Sequence, residues 1–326
     1  MTPLLDLDLV FVTGKGGVGK TTIAAALAEV AAASGRRTLV CEMDAKGALA
    51  TAFELSELAF EPTEVAPNLA AMAMSTEESL REYLRLFVKI PLLGRIGPLA
   101  STFDFVADAA PGVKEILAIG KLAYEVRERH HDIVIVDAEA TGHVVSQIAA
   151  PRVIADLVKV GLVRDQTQWM RDILEDPART GVVVTTTAEE MPVIETIELL
   201  DRLRDETDTA PAAVIANRVL PAVFNRHELG VLDRLGGAAD ELVAAAGPGA
   251  TAVIDAASIV ERRRAVGATH LDALRRHVES IGLPMFTVAE LFARAHGRRV
   301  VGQVADQLAD ELGAAAATEA GSESEA

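Results

Sequence analysis

Along this chain, short apolar runs closed by glycine or acidic residues alternate with longer stretches whose apolar positions recur at helical spacing. Asp8–Thr13 (DLVFVT) is one such run and predicts a buried parallel strand. Thr21–Ala33, rich in alanine and leucine, predicts a helix that Gly35 ends, and Thr38–Glu42 (TLVCE) predicts the next strand. Such a strand–helix–strand unit opens an α/β fold, a doubly wound, mostly parallel sheet flanked by helices. Further strands are expected at Leu69–Met74, Ile133–Val136, Val182–Thr186, Ala213–Asn217 and Leu283–Thr287. Helical patterns lie between them, as at Pro192–Leu203 and Val253–Val278. No linker interrupts the alternation, so residues 1–313 are expected to form one domain.

Two stretches break the rhythm. Leu80, Tyr83, Leu84, Phe87 and Val88 follow amphipathic-helix spacing, which continues through Leu92, Leu93, Ile96 and Leu99 across Pro91, Gly94, Gly97 and Pro98. The other stretch, Arg152–Arg179, holds the chain's tryptophan, Trp169. Together they suggest a helical insertion at about 76–130 and 152–179. Residues 314–326 are small and acidic, and are expected to be a disordered tail.

Half of the 326 residues are apolar and only 4% aromatic, enough for a sizeable core of Ala-rich helices on Val-rich strands. A formal charge of −17 argues against a nucleic-acid partner, which would demand clustered lysine and arginine. The single cysteine, Cys41, excludes an internal disulfide or a multi-thiolate metal site within one chain, and its apolar setting suggests a core position. No apolar run reaches the ~18–20 residues of a membrane span, and no leader pattern is visible. A cytoplasmic protein without an integral membrane segment is therefore expected.

The sharpest chemical signal is Gly14-Lys15-Gly16-Gly17-Val18-Gly19-Lys20-Thr21, which fits G-x-x-x-x-G-K-[ST] between a predicted strand and a predicted helix. Glycines allow backbone N–H groups to surround an anion, and the helix aims its positive end at the same point. Lys20 can neutralise the β- and γ-phosphates of ATP, and the Thr21 hydroxyl, followed by Thr22, can ligate Mg²⁺. Such a match arises by chance in about one chain in a hundred of this length. Lys15 is not needed for the cradle. It either contacts its own nucleotide or solvent, or reaches across a dimer to the partner's γ-phosphate as an arginine finger does.

GKGGVGKTT with its early lysine resembles the deviant Walker A class of dimeric P-loop ATPases. Asp137-Ala138-Glu139-Ala140-Thr141-Gly142-His143, after the strand DIVIV, is similar to the D-T-A-P-T-G-H switch II of the arsenite-efflux and tail-anchored-protein-targeting ATPases. Asp44-Ala45-Lys46-Gly47-Ala48-Leu49, ending at Ala52-Phe53, resembles their D-P-A-H-N-L switch I. Pro111-Gly112 with Glu115, and Asp176-Pro177, add to a likeness covering roughly residues 8–310. The resemblance implies that Asp44 orients the attacking water and that Asp137 holds Mg²⁺ through a water. It further implies that Thr141 and Gly142 form a γ-phosphate-sensing loop and that Asn217, in VIANR, reads adenine. Read as residues alone, Asp44 and Asp137 have a plainer alternative as strand-end turn formers, and Asn217 as a turn residue without a ligand. His143 reads as a packing histidine, and His130-His131 as a solvated helix end rather than a metal site.

The chain also departs from that pattern. The thiolates that would select arsenite are absent, as are the cysteines that hold zinc between targeting-ATPase subunits. Ala45 and Gly47 replace a proline and a histidine, and Ala138, Glu139 and Ala140 replace T-A-P. A glutamate so close to the γ-phosphate adds negative charge and would slow turnover. The stretch before Asp176 is short and carries one methionine, Met170, so any groove for a hydrophobic client is reduced. Alanine-rich chains of this shape look most like bacterial, particularly actinobacterial, arsenite-pump-like ATPases, which implies a homodimer or a pair with a paralogue. Two functions fit: a dimeric ATPase switch acting on a client, or a weakly hydrolysing regulatory subunit of a paralogous ATPase. A partition or septum-positioning ATPase would need basic surface that the acidic chain does not offer.

Overall fold

The structure, a computed structural model, describes residues 3–44, 46–88, 112–157, 162–292 and 297–323. Its strands are β1 (Leu9–Gly14), β2 (Thr38–Glu42), β3 (Thr63–Ala66), β4 (Leu69–Ala73), β5 (Ile133–Ala140), β6 (Thr180–Thr187), β7 (Pro211–Val219) and β8 (Met285–Ala289). They form one sheet in the order β3-β4-β2-β5-β1-β6-β7-β8. Every neighbouring pair is parallel except β3–β4. The central strands are buried along their length because helices cover both faces, which is why they read as unbroken apolar runs. Cys41 of β2 is fully buried between Met72 and Val136, and burial pushes its thiol pKa far up.

On one face lie α1 (Lys20–Ala33), the short α2 (Ala48–Ala52) and, late in the chain, α11 (Arg298–Glu323). In α1, Ala24, Ala25, Ala28 and Ala31 are fully buried, so small side chains let the helix pack closely against its surroundings. The opposite face carries α4 (Val113–Arg127), α5 (Thr141–Leu157), α6 (Leu162–Leu174), α7 (Glu190–Glu206) and α10 (Ala250–Ser280). Ahead of α4 comes α3 (Thr76–Tyr83), which leads into a π turn at Leu84–Val88; α8 (Arg226–Gly236) and α9 (Ala239–Ala246) precede α10.

Several expectations change. β3 was not anticipated, because its residues are exposed or half-buried and carry no apolar run. Thr141 and Gly142 are not a loop: β5 runs on to Ala140 and α5 begins at Thr141. Within 152–179, α5 continues to Leu157 through Pro151 and α6 spans Leu162–Leu174. The expected disordered tail is helical through Glu323, an alanine-rich continuation of α11. Leu92, Leu93, Ile96, Leu99, Ala45 and Pro111 lie outside the described residues. Among the described residues, no helix is long and apolar enough to cross a membrane.

Candidate nucleotide site

Strand β1 sits between β5 and β6, so the loop that follows it emerges at the middle of the sheet's carboxyl edge. Gly14 takes a φ of 147° with its backbone against β6; an added Cβ would lie 2.1 Å from the Thr185 carbonyl oxygen. Gly19, at φ 95°, caps α1, and a Cβ there would lie 2.3 Å from the Asn217 amide nitrogen. A side chain at Gly14 would meet fixed backbone, and one at Gly19 would meet the Asn217 side-chain amide. At Gly16 and Gly17 the space is open, so the rim of the loop faces outward.

The loop is tied from its flank. Asn217 Nδ2 donates to the Val18 carbonyl at 2.9 Å, and Arg218 Nη2 donates to the Gly17 carbonyl at 2.7 Å. Lys20 Nζ lies 3.5 Å from the Lys15 carbonyl oxygen. Asn217 is buried at 4% exposure and its Oδ1 accepts from the Arg218 N–H. The amide that the resemblance assigns to adenine thus also ties the loop.

Beneath the loop is a pair of acids. Asp137 of β5 and Glu42 of β2 are register partners, and both are buried. The Thr21 hydroxyl donates to Asp137 Oδ2 at 2.5 Å, while Asp137 Oδ1 is buried with no partner. Burial pushes the Asp137 pKa up to about 6, against the opposing pull of the Thr21 bond and the Lys20 charge. Burial also lowers the pKa of Lys20, which Asp137 partly offsets. Glu42 Oε1 accepts from the Ala48 N–H at the start of α2 at 2.8 Å, and Oε2 is left without a partner. A hydroxyl beside orphaned buried carboxylate oxygens suits a hard cation that takes oxygen ligands. Among the described residues no group of three or more His, Cys, Asp or Glu could hold a metal ion.

The remaining expected residues surround this centre. Lys15 is ion-paired with Glu195 of α7, and half-exposed Asp44 is ion-paired with Lys46, whose pKa that carboxylate raises. Thr22 is half-buried in the first turn of α1; Thr141 is half-buried and Gly142 exposed at the start of α5. Glu139 is turned back onto α5, where Oε1 accepts from Gln147 Nε2 at 2.8 Å. Exposed His143 lies 3.9 Å from the same carboxylate. Just past α4, half-exposed His130 and more deeply set His131 place their Nδ1 atoms 2.9 and 3.6 Å from Glu125 Oε2, in a network with buried Lys121. Sequence reasoning missed Glu42, Glu195, Arg218 and Gln147. Glu42 and Arg218 had a signal, as an acidic strand end and as the neighbour of Asn217; Glu195 had none.

The profile of the family described as anion-transporting ATPase matches residues 7–164. The Mycobacterium tuberculosis protein named ATPase BagA is 31% identical over 237 residues, spanning 69% of each chain. The chain belongs to the anion-transporting ATPase family. A Halobacterium salinarum protein described as an arsenical pump-driving ATPase is 27% identical over 68% of this chain and 37% of its own length. A Paramecium tetraurelia protein, ATPase ASNA1 homolog 1, is 31% identical over 45% of this chain and 44% of its own. The family membership makes the protein a nucleotide-binding ATPase. The amino end of α1, the Thr21–Asp137 pair and Asp44 lie together at the carboxyl edge of the sheet.

Proposed function

We propose that the chain binds ATP with Mg²⁺ in the Gly14–Thr21 loop and hydrolyses it as one half of a two-subunit switch. The observation that carries this reading is the unpartnered buried Oδ1 of Asp137 beside the Thr21 hydroxyl, directly under the amino end of α1. Thr21 and Asp137 would hold Mg²⁺, which when bound supplies positive charge to the phosphate oxygens. Lys20 neutralises the β- and γ-phosphates, and Gly16, Gly17, Val18, Gly19 and Thr22 offer backbone and hydroxyl donors. Asn217 fixes the loop through Val18 and keeps a second amide hydrogen for the adenine edge. In the reaction, water oxygen bonds to the γ-phosphorus as the bond to the β-phosphate oxygen breaks. Asp44 takes the water's proton once its pairing with Lys46 is released. Lys15 acts from the partner subunit, and Thr141 and Gly142, at the head of α5, carry the loss of phosphate to the helices beyond.

Those helices frame the apolar cavity proposed as the client's place. About 320 Å³ in volume, it is lined by Leu80, Tyr83, Leu86, Ile116, Leu117 and Met170 among others. Phosphate release by the purified chain tests the enzyme directly. Turnover is expected to vanish in Lys20→Ala and to fall at least about a hundredfold in Asp44→Asn. Light scattering with ATP–Mg²⁺ should report a species of twice the monomer mass. The Asp44–Lys46 pair favours a second reading, a slow regulatory subunit awaiting a paralogue. A basal rate in Lys46→Ala no higher than in the unaltered chain would set the pairing aside as its cause.

A further inference from the structure

Lys15 is not needed for the phosphate cradle, and its ammonium is ion-paired elsewhere. The reason lies in the topology. Gly14 presses against Thr185 of β6, so the chain leaves β1 on the β6 side, and α7 follows β6 after only two residues. That brings Glu195, in the second turn of α7, to Lys15 across 180 positions of sequence, and the two form an ion pair. Both side chains are partly open to solvent, at 33% and 26% exposure, so the pair can break without exposing core. The same helix turns present Met191 and Ile194 outward at 54% and 41% exposure.

We propose that Glu195 is a positioning residue for Lys15: it holds the lysine against its own subunit and releases it only when a partner's nucleotide offers a stronger anion. The proposal rests on the two-subunit reading above. A carboxylate carries one negative charge, whereas the tail of a bound triphosphate carries more, so exchanging Glu195 for phosphate oxygens favours the assembled state once ATP is in place. Before that, the ion pair opposes assembly by neutralising the group that would seek the partner. Release also frees Glu195 beside Met191 and Ile194, so the outer face of α7 changes charge when Lys15 departs. Partly exposed ion pairs are modest, so the device biases the equilibrium and does not lock it.

The test is phosphate release by the full chain over a range of protein concentrations with ATP–Mg²⁺, together with light scattering. Glu195→Gln is expected to reach half-maximal specific activity at about twofold to fivefold lower protein concentration, with an unchanged plateau. Glu195→Asp should lie close to the unaltered chain. In a Lys15→Ala background, where assembly is read by light scattering alone, Glu195→Gln should shift nothing, whereas a merely structural role for Glu195 would persist there. Thermal melts establish that each variant is folded. If the unaltered chain shows concentration-dependent turnover but Glu195→Gln leaves the curve in place, the latch is wrong and the two-subunit reading stands. Specific activity independent of concentration in every variant, with a monomer mass throughout, would overturn both.

Discussion

Asp137 carries a pH signature that can be read in solution. An aspartate in an unfolded chain titrates at about 3.9, whereas burial moves this one to about 6. Between about pH 4 and pH 6 the native state keeps a proton that the unfolded chain has given up, so stability falls as pH rises through that window. The loss is bounded at on the order of 3 kcal/mol. Urea denaturation of the nucleotide-free chain at pH 4.5 and 7 should show it, and Asp137→Asn should flatten the difference while abolishing turnover. Glu125 runs the other way: its pKa is held down to about 2 by His131, Lys121 and His130 against the cost of burial. Its stabilisation is lost only as pH falls from the normal carboxylate range toward 2, below the Asp137 window. Gly14→Ala makes a second check, since the new methyl would meet a backbone carbonyl at 2.1 Å. A loss of about 3 kcal/mol or more is expected in the same denaturation assay. The loop's glycines and lysines were readable because contiguous residues suffice to make it. Glu195 was not readable, because its meaning arises only when β6 delivers α7 to the neighbourhood of Lys15.

Among the elements, α3 and α4 are joined by a buried charge. Lys121 is 3% exposed, bonds Glu82 and Glu125 at 2.9 Å each, and lies 4.9 Å from the centre of the Phe60 ring. Burial alone would lower its pKa, but the two carboxylates outweigh that and hold the ammonium above its ordinary value. Lys121→Ala leaves Glu82 without its cation and Glu125 with only the two histidines, and should cost about 3 kcal/mol of stability. Lys121→Met combined with Glu82→Gln and Glu125→Gln should recover most of that in chemical denaturation; no recovery would mean the helices are joined by packing instead. Parallel strands buried on both faces announce themselves as apolar runs, so β1, β2, β5 and β6 could be placed to within a few residues. Strand β3 gave no such cue because it is an edge strand with one antiparallel neighbour and half-exposed residues. The helical start of α5 at Thr141 was hidden for another reason: a family-like loop motif and an N-terminal helical turn share the same small residues.

For the whole molecule, the charge of −17 bears on the proposed two-subunit assembly. Surface repulsion between like-charged subunits is screened over about 10 Å at 0.1 M salt, while contacts sealed inside an interface are screened far less. Assembly with ATP–Mg²⁺ should therefore strengthen as salt rises from about 0.02 M to 0.15 M. Light scattering across that range checks it, and weakening with salt would mean that exposed ion pairs dominate the contact. The overall architecture was legible from alternation alone; which charges face a partner was not, because that depends on surfaces assembled from distant segments. Burial of Cys41 at the centre of the sheet has a practical corollary. With its lone thiol sealed away, the native chain is a blank slate for maleimide dyes, and a cysteine engineered onto the outer side of α7 would accept a fluorophore alone, letting the departure of Lys15 be watched as a change in light.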